Sequence, residues 1–175
     1  MLQDSIARQL NAQINNEFFS AYLYLDMSAK AEQAGFKGMS AWFMGKYFEE
    51  NQHALKIYHY VLDHGSDIEM SAIDNPGQDY QGPLDMFEQT LAHEQSVTAM
   101  INDLVDAAMT ARDHATYAFL QWFVTEQTEE EATVNDIIAQ LKLVGERGEG
   151  LFMIDREIAS MATAMPQSLA PSPAA

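Results

Sequence analysis

The sequence predicts an all-α protein, namely a four-helix bundle with one long crossover connection and a short fifth helix near the C-terminus. Four long segments carry apolar residues at the three- and four-residue spacing of a buried helix face. Alternating strand patterns bounded by turn residues are not evident in the 175 residues. The segment at about 66–82 is polar and much longer than the other connections. These observations favour one compact helical domain.

Capping residues mark the ends of the first two helices. The first is predicted to run from about Ser5 to Glu32, with Asp4 as its N-cap. The second is predicted to run from about Ser40 to His64. A glycine follows directly and suits the left-handed position after a helix end.

Proline and glycine delimit the remaining helices. The third is predicted to begin at Pro83, in the first-turn position that proline favours, and to end near Ala111. Asp113 is the predicted cap of a fourth helix, which ends before Gly145. The bend GERGEG then precedes a fifth helix at about 150–162.

The length of the second connection decides the topology. Residues 66–82 could span ~55 Å when extended, whereas a helix of this size is ~39 Å long. The segment can therefore run the full length of the bundle and place the second and third helices parallel. An up-down-up-down bundle would bring the same residues to one level, so only the connection length favours the crossover.

Composition excludes several classes of function. The chain has no cysteine, which excludes disulfides, zinc–thiolate sites and cysteine-ligated iron–sulfur clusters. Its net charge of −17 argues against nucleic acid as a partner, because phosphates are bound by Lys and Arg. No apolar run is long enough for a membrane span, and MLQDSIARQL lacks the pattern of a secretory signal. The predicted location is the cytoplasm.

Acidic residues interrupt the apolar stripes near the middle of the helices. The stripe of the second helix is predicted to comprise Phe43, Tyr47, Glu50, Ala54, Ile57 and Val61. The stripe of the third is predicted to comprise Leu84, Phe87, Leu91, Glu94, Thr98, Ile101 and Val105. The first and fourth stripes contain Glu17, Gln127 and Glu130. An unpaired charge in such a position costs several kcal/mol, so the acids need a partner.

The two hairpins carry the same spacing. The second polar member lies 33 residues after the first, and the third lies three residues further. The members are Glu17, Glu50 and His53 in one hairpin and Glu94, Gln127 and Glu130 in the other. None of the nine basic residues is predicted to lie on a core stripe, so bound cations are the expected compensation. Two divalent ions would balance four carboxylates, and oxygen ligands with one imidazole suit iron or manganese.

Five segments, in order along the predicted helices, resemble the bacterial non-haem ferritins. They are NNEFFSAYLYLDMS, EENQHALKIYHYV, HEQSVTAMI, FVTEQTEEE and GLFMIDREI. The resemblance covers about residues 1–162 and implies one ferritin-like di-iron domain, with the bundle at about 5–145. The Pro/Ala/Ser-rich tail, 163–175, is predicted to be disordered.

The resemblance implies a ferroxidase centre inside each chain. Glu17, Glu50 and His53 would hold one iron. Glu50, Glu94 and Glu130 would hold the second, with Gln127 as a hydrogen-bonding or weak ligand. Bacterial members carry a third iron position, and its matching residues here are Glu49, Glu126, Glu129 and Glu130. Tyr24 matches the tyrosine beside the centre, a candidate electron donor, and the direction of Glu131 stays open.

The resemblance also implies a reaction and an assembly. Fe(II) would be oxidised by O2 or H2O2 and deposited as ferric oxyhydroxide in a hollow homo-oligomeric shell of 24 subunits. Haem-containing bacterioferritins differ from this chain because they carry a second Glu-x-x-His and a Met after the Glu of the first. Here Gln127 begins the corresponding motif and Asn51 replaces the Met, so no haem is expected.

Three other functions fit parts of the pattern. A rubrerythrin-like di-iron peroxidase is disfavoured by the missing cysteine-ligated domain and the presence of a fifth helix. A DNA-protecting mini-ferritin would build its site between subunits and lack that helix. A non-catalytic scaffold could use buried acids only to specify helix pairing, and it would bind no Fe(II).

Overall fold

Five helices form the protein in a computed structural model that describes residues 2–77, 79–145 and 148–162. They are α1 (Asp4–Gln33), α2 (Lys37–Asp63), α3 (Pro83–Thr110), α4 (His114–Val144) and α5 (Glu149–Met161). The all-α fold class is confirmed. The predicted disordered tail, 163–175, lies outside the described residues. None of the helices in the described ranges has the length and apolar character that a membrane crossing requires.

A glycine with left-handed backbone angles follows the C-cap of each of the first two helices. Gly35 has φ 91°; its N–H donates to Glu32, and the next N–H donates to Ala31. Gly65 has φ 69° and repeats this arrangement after α2. These paired bonds satisfy carbonyls that a helix end leaves without a partner. The end of each of these two helices is therefore stabilised by hydrogen bonds between residues close in sequence.

The crossover topology follows from contacts between helices. Near the turn Ser28 donates to the carbonyl of Ser40, and further from it Glu17 lies close to Glu50 and His53, so α1 and α2 are antiparallel neighbours. Along α1, Asn16 contacts Met100 early and Met27 contacts Thr90 late, so α1 and α3 are also antiparallel. It follows that α2 and α3 are parallel. The predicted long crossover is confirmed.

The connection between α2 and α3 runs along α1. The Asn11 side chain donates to the carbonyl of Asp67 and accepts from the Glu69 N–H, at 3.0 and 2.9 Å. At the other end of α1, Tyr80 lines a cavity together with Lys30. The segment thus spans most of the bundle, as its length predicted.

A polar layer divides the bundle core into two apolar clusters. One cluster lies at the α5 end and includes Phe43, Phe87 and Ile154. The other lies at the opposite end and includes Leu10 and Ile101. The acids singled out in the sequence lie between the two clusters, where water is excluded from both sides.

Helix α5 docks on the start of α2 through Asp155. Its carboxylate accepts hydrogen bonds from the N–H groups of Gly38 and Met39, at 3.1 and 2.9 Å. A Cβ at Gly38 would lie 1.7 Å from the Asp155 carbonyl oxygen, so only glycine permits this approach. Asp155 therefore acts as an N-cap supplied from a distant part of the chain.

Two predicted helix starts were wrong. Asp4 is the first residue of α1 and not its cap; Gln3 occupies the cap position, with no side-chain cap hydrogen bond. Helix α2 begins at Lys37 and not at Ser40, because Asp155 accepts from its first turn. By contrast, Asp113 accepts from the Thr116 N–H, and the predicted cap of α4 is confirmed.

The predicted stripes of α1 and α4 are buried, but those of α2 and α3 needed correction. In α3 the buried face is rotated by about one residue; Thr90, Val97 and Leu104 are buried, whereas Leu91 and Thr98 are only partly buried. In α2, Lys46 is buried where Tyr47 was expected. The 3-4 spacing allows either neighbour, and packing against the other helices selects one.

Candidate metal centre

Glu17, Glu50 and His53 come together in the polar layer. Each offers one possible ligand atom, and these atoms all lie within 4.8 Å of one another. All three side chains are buried. The antiparallel packing of α1 and α2 brings Glu17 opposite Glu50, and the three-residue spacing turns His53 to the same face. The ring Nδ1 of His53 is 3.3 Å from Glu50 Oε2.

Burial dominates the electrostatics of this trio. It raises the pKa of Glu17 well above the usual range, and the nearby Glu50 raises it further. Burial also raises the pKa of Glu50, with Glu94 adding to the effect. The hydrogen bond between the two carboxyl groups raises the pKa of Glu17 and lowers that of Glu50. Glu17 Oε1 also accepts a hydrogen bond from Gln13 at 2.8 Å.

Glu94 lies in the same layer and accepts hydrogen bonds from α1 and α4. The Tyr24 hydroxyl donates to its Oε1, and Gln127 Nε2 donates to its Oε2 at 3.1 Å. Burial, followed by the charges of Glu94 and Glu50, raises the pKa of Tyr24 well above its usual range. The phenol is therefore a stable hydrogen-bond donor. Across α3 and α4, the 33-residue spacing brings Glu94 and Gln127 into contact.

Glu130 has a partner that the sequence analysis excluded. Lys46, although on α2, is buried, and its ammonium donates to both carboxylate oxygens of Glu130. The expectation that no basic residue lies on a core stripe was wrong. Burial raises the pKa of Glu130, and Lys46 opposes that rise. A signal was present in the sequence: Lys46 lies four residues before Glu50, the spacing of one helix face.

Three of the four acids assigned to a third position are less buried than Glu130. Glu49 is partly exposed and its Oε2 lies 2.8 Å from Lys46 Nζ. Glu126 is partly buried and Glu129 is exposed. Glu131 accepts from the Thr98 hydroxyl at 2.6 Å, which settles its direction: it faces α3.

Aromatic rings enclose His53. Its ring lies 5.3 Å from Trp122 and 6.0 Å from Phe123, both edge-on. Lys56 lies over the outer side of Trp122, 4.1 Å from the ring centroid. These contacts fix the imidazole plane and limit the access of water to it. Two carboxylates and one imidazole in a water-poor layer fit a divalent first-row metal such as iron.

Comparison with known proteins identifies the family of this fold and site. A model of the ferritin-like domain matches residues 7–144. The chain belongs to the ferritin-like family. The family resemblance inferred from the five motifs is confirmed.

Relatives of this ferritin-like chain are similar over nearly their whole length. The bacterial non-heme ferritin of Campylobacter jejuni is 40% identical, with 93% of this chain and 97% of the relative covered. A probable bacterial non-heme ferritin-like protein of Haemophilus influenzae is 39% identical, with 93% and 99% covered. An open-pore ferritin from the archaeon Archaeoglobus fulgidus is 40% identical and superposes with a TM-score of 0.89, covering 91% of this chain and 98% of that structure.

Proposed function

We propose that this ferritin-like chain stores iron, and that it oxidises Fe(II) at the centre formed by Glu17, Glu50 and His53. The meeting of these three buried side chains in one water-poor layer is the observation that carries the proposal. The similarity to bacterial non-heme ferritins supports iron as the metal. In this proposal iron is the substrate, and it is retained as ferric oxyhydroxide inside a homo-oligomeric shell of 24 subunits.

The residues divide into two iron positions. Glu17, Glu50 and His53 would bind one Fe(II), and Glu50, Glu94 and Glu130 would bind the other, with Glu50 shared. A carboxylate has about four lone-pair directions, so Glu50 can serve both positions. Two Fe(II) ions supply two electrons, which together with two protons reduce O2 to H2O2. H2O2 can accept two further electrons and is the alternative oxidant.

Several neighbouring side chains support this role. Gln13 orients Glu17 through a hydrogen bond, and Gln127 orients Glu94. Tyr24 donates to Glu94 and is close enough to the layer to serve as the proposed electron donor. Trp122 and Phe123 shield His53 from solvent. No haem is expected, since Gln127 and Asn51 replace the corresponding bacterioferritin residues.

Stopped-flow oxidation of Fe(II) tests the catalytic part of the proposal. His53→Ala and Glu130→Ala should each slow the initial oxidation by at least about tenfold, because each removes a proposed ligand. His59→Ala is the matched control, since this histidine is exposed on the same helix. Oxidation traces for His53→Ala that coincide with those of His59→Ala would refute the assignment.

Aerobic loading tests the storage part. The intact particle should have 24 times the mass of one chain and should retain far more iron than two atoms per subunit. Sedimentation of the loaded particle, combined with iron analysis, measures both quantities. Retention of only two irons per chain, with no mineral, would instead favour the rubrerythrin-like di-iron enzyme.

A further inference from the structure

Lys46 occupies an unusual place for a lysine. It is 8% exposed, within the layer that holds the proposed iron ligands. Its ammonium donates to both oxygens of Glu130 on α4 and lies 2.8 Å from Glu49 Oε2 on its own helix. Two carboxylates from different helices thus converge on one positive charge.

The lysine remains charged in this environment. Burial alone would lower the pKa of Lys46, but the charges of Glu130 and Glu49 outweigh burial and raise that pKa above its usual range. The ring of Trp42 lies 5.6 Å from the ammonium and adds a further favourable contact. The ammonium therefore places a positive charge between Glu49 and Glu130.

The position of this charge bears on the number of metal ions. Glu49 and Glu130 are two of the four acids that the sequence resemblance assigned to a third iron. In the structure both are engaged by Lys46. A divalent ion between them would have to displace or approach a buried ammonium, and the two positive charges would repel each other strongly in a water-poor layer. The possible ligand atoms of Glu17, Glu50 and His53 lie within 4.8 Å of one another and form a separate group.

We propose that the ammonium of Lys46 takes the place of a third metal ion between Glu49 and Glu130, so that the centre binds two divalent ions and no more. This inference rests on the proposed function, because it presupposes the two-ion centre. Glu130 can still serve the second position, since one of its oxygens can turn to a metal while the other stays with Lys46. Lys46 is thus a specificity-determining residue that sets the metal count.

Anaerobic titration with Co(II) tests this inference without relying on oxidation. Calorimetry and the visible absorption of bound Co(II) give the number of ions per chain. Wild-type protein should bind two ions, and Lys46→Gln should bind three, because the neutral amide no longer places a positive charge between Glu49 and Glu130. Lys46→Arg keeps the charge and should stay at two. Lys142→Gln, which removes a lysine from an exposed pair with Glu88, should also stay at two.

Each outcome of this titration separates the two proposals. No binding to wild-type protein would refute the proposed metal centre itself. Three ions per wild-type chain would overturn the role of Lys46 and leave the proposed function intact. Two ions in both wild type and Lys46→Gln would have the same consequence. If Lys46→Gln fails to assemble, Lys46→Met keeps the packed stem of the side chain and carries the same expectation. The number of ions bound by wild-type protein tests the proposal even if no variant assembles.

Discussion

Buried acids in this protein are each stabilised by a different partner. Glu17 has a raised pKa and accepts from Gln13, and Glu94 accepts from Tyr24 and Gln127. Glu130 forms an ion pair with Lys46. An uncompensated charge would cost several kcal/mol in such a layer, so the metal-free protein is stabilised by these hydrogen bonds and by protonation. Metal binding must therefore compete with protons as well as with hydrogen bonds.

The raised pKa values of Glu17 and Glu50 predict that metal binding releases protons. Both carboxyl groups have a raised pKa in the folded, metal-free protein and so keep their protons to a higher pH than usual. A metal ion binds the deprotonated carboxylates. Affinity for Co(II) should thus rise with pH through the raised pKa values. Calorimetry in two buffers of different ionisation enthalpy measures the release. Glu17→Gln should release fewer protons than wild type; equal release would contradict the raised pKa of Glu17.

The same shifts fix the direction of the stability change with pH. Because the folded chain binds more protons than the unfolded chain between the usual and the raised pKa, stability of the metal-free protein should fall as pH rises through that window. Bound divalent ions should oppose this loss. Thermal denaturation of metal-free protein over a pH series, with and without Co(II), measures both effects. A metal-free stability that rises through the window would contradict the pKa directions.

Arg112 is a residue in a conformation that suits glycine. Its φ is 55°, and it follows α3 where glycine follows α1 and α2. Its side chain is exposed. Arg112→Gly should stabilise the protein by about 1 kcal/mol, because glycine adopts left-handed φ without a Cβ clash. Thermal denaturation measures the gain, and Arg112→Ala, which keeps a Cβ, should show none.

At the scale of helices, most ends are set by nearby residues, but the start of α2 is set from a distance. Gly35, Gly65 and Asp113 act on the chain beside them. The first turn of α2 instead donates to Asp155, more than a hundred residues later. The short helix α5 is thereby attached to the bundle by both apolar packing and a cap.

Removal of the Asp155 carboxylate should destabilise the first turn of α2 and the attachment of α5 to it. Asp155→Ala is expected to cost about 1–2 kcal/mol, the usual loss for an N-cap whose partners become unsatisfied. Glu157→Ala is the matched control, since Glu157 is an exposed acid on the same helix. Hydrogen exchange of the Gly38 and Met39 amides should speed up in Asp155→Ala only. Unchanged exchange at these amides would show that α5 does not cap α2.

At the scale of the whole molecule, the crossover sets the direction of α3 relative to the first two helices. It places α3 antiparallel to α1 and parallel to α2, and in this arrangement Tyr24 of α1 donates to Glu94 of α3. Asn11 fastens the crossover with two hydrogen bonds, to the carbonyl of Asp67 and from the Glu69 N–H, and it also donates to the Ala7 carbonyl within α1. A buried amide with all these partners is costly to replace.

Asn11→Ala should release the crossover from α1. The loss of its hydrogen bonds is expected to lower stability by about 2 kcal/mol, since the Glu69 N–H is left without its acceptor. Asn15→Ala removes a single longer bond, 3.4 Å to the Ala72 carbonyl, and should have a smaller effect. Proteolytic cleavage within 66–82 and hydrogen exchange at Glu69 measure the release. Equal cleavage of both variants would contradict the role of Asn11.

Sequence by itself determined the helical class, the crossover and the four buried glutamates of the polar layer. These follow from spacing, because a helix repeats every 3.6 residues and a polar residue on an apolar stripe must lie in the core. The left-handed Gly65 and the Asp113 cap were likewise predictable, because their effects are local.

Only the tertiary structure decided between neighbouring positions that spacing alone leaves equivalent. Lys46 rather than Tyr47 enters the polar layer because Glu130 on another helix attracts it, and α2 begins at Lys37 because Asp155 reaches it. Both outcomes depend on partners more than 80 residues away in the chain. The energy of a buried charge or an unsatisfied N–H is set by whatever packs against it, and that is a property of the assembled bundle.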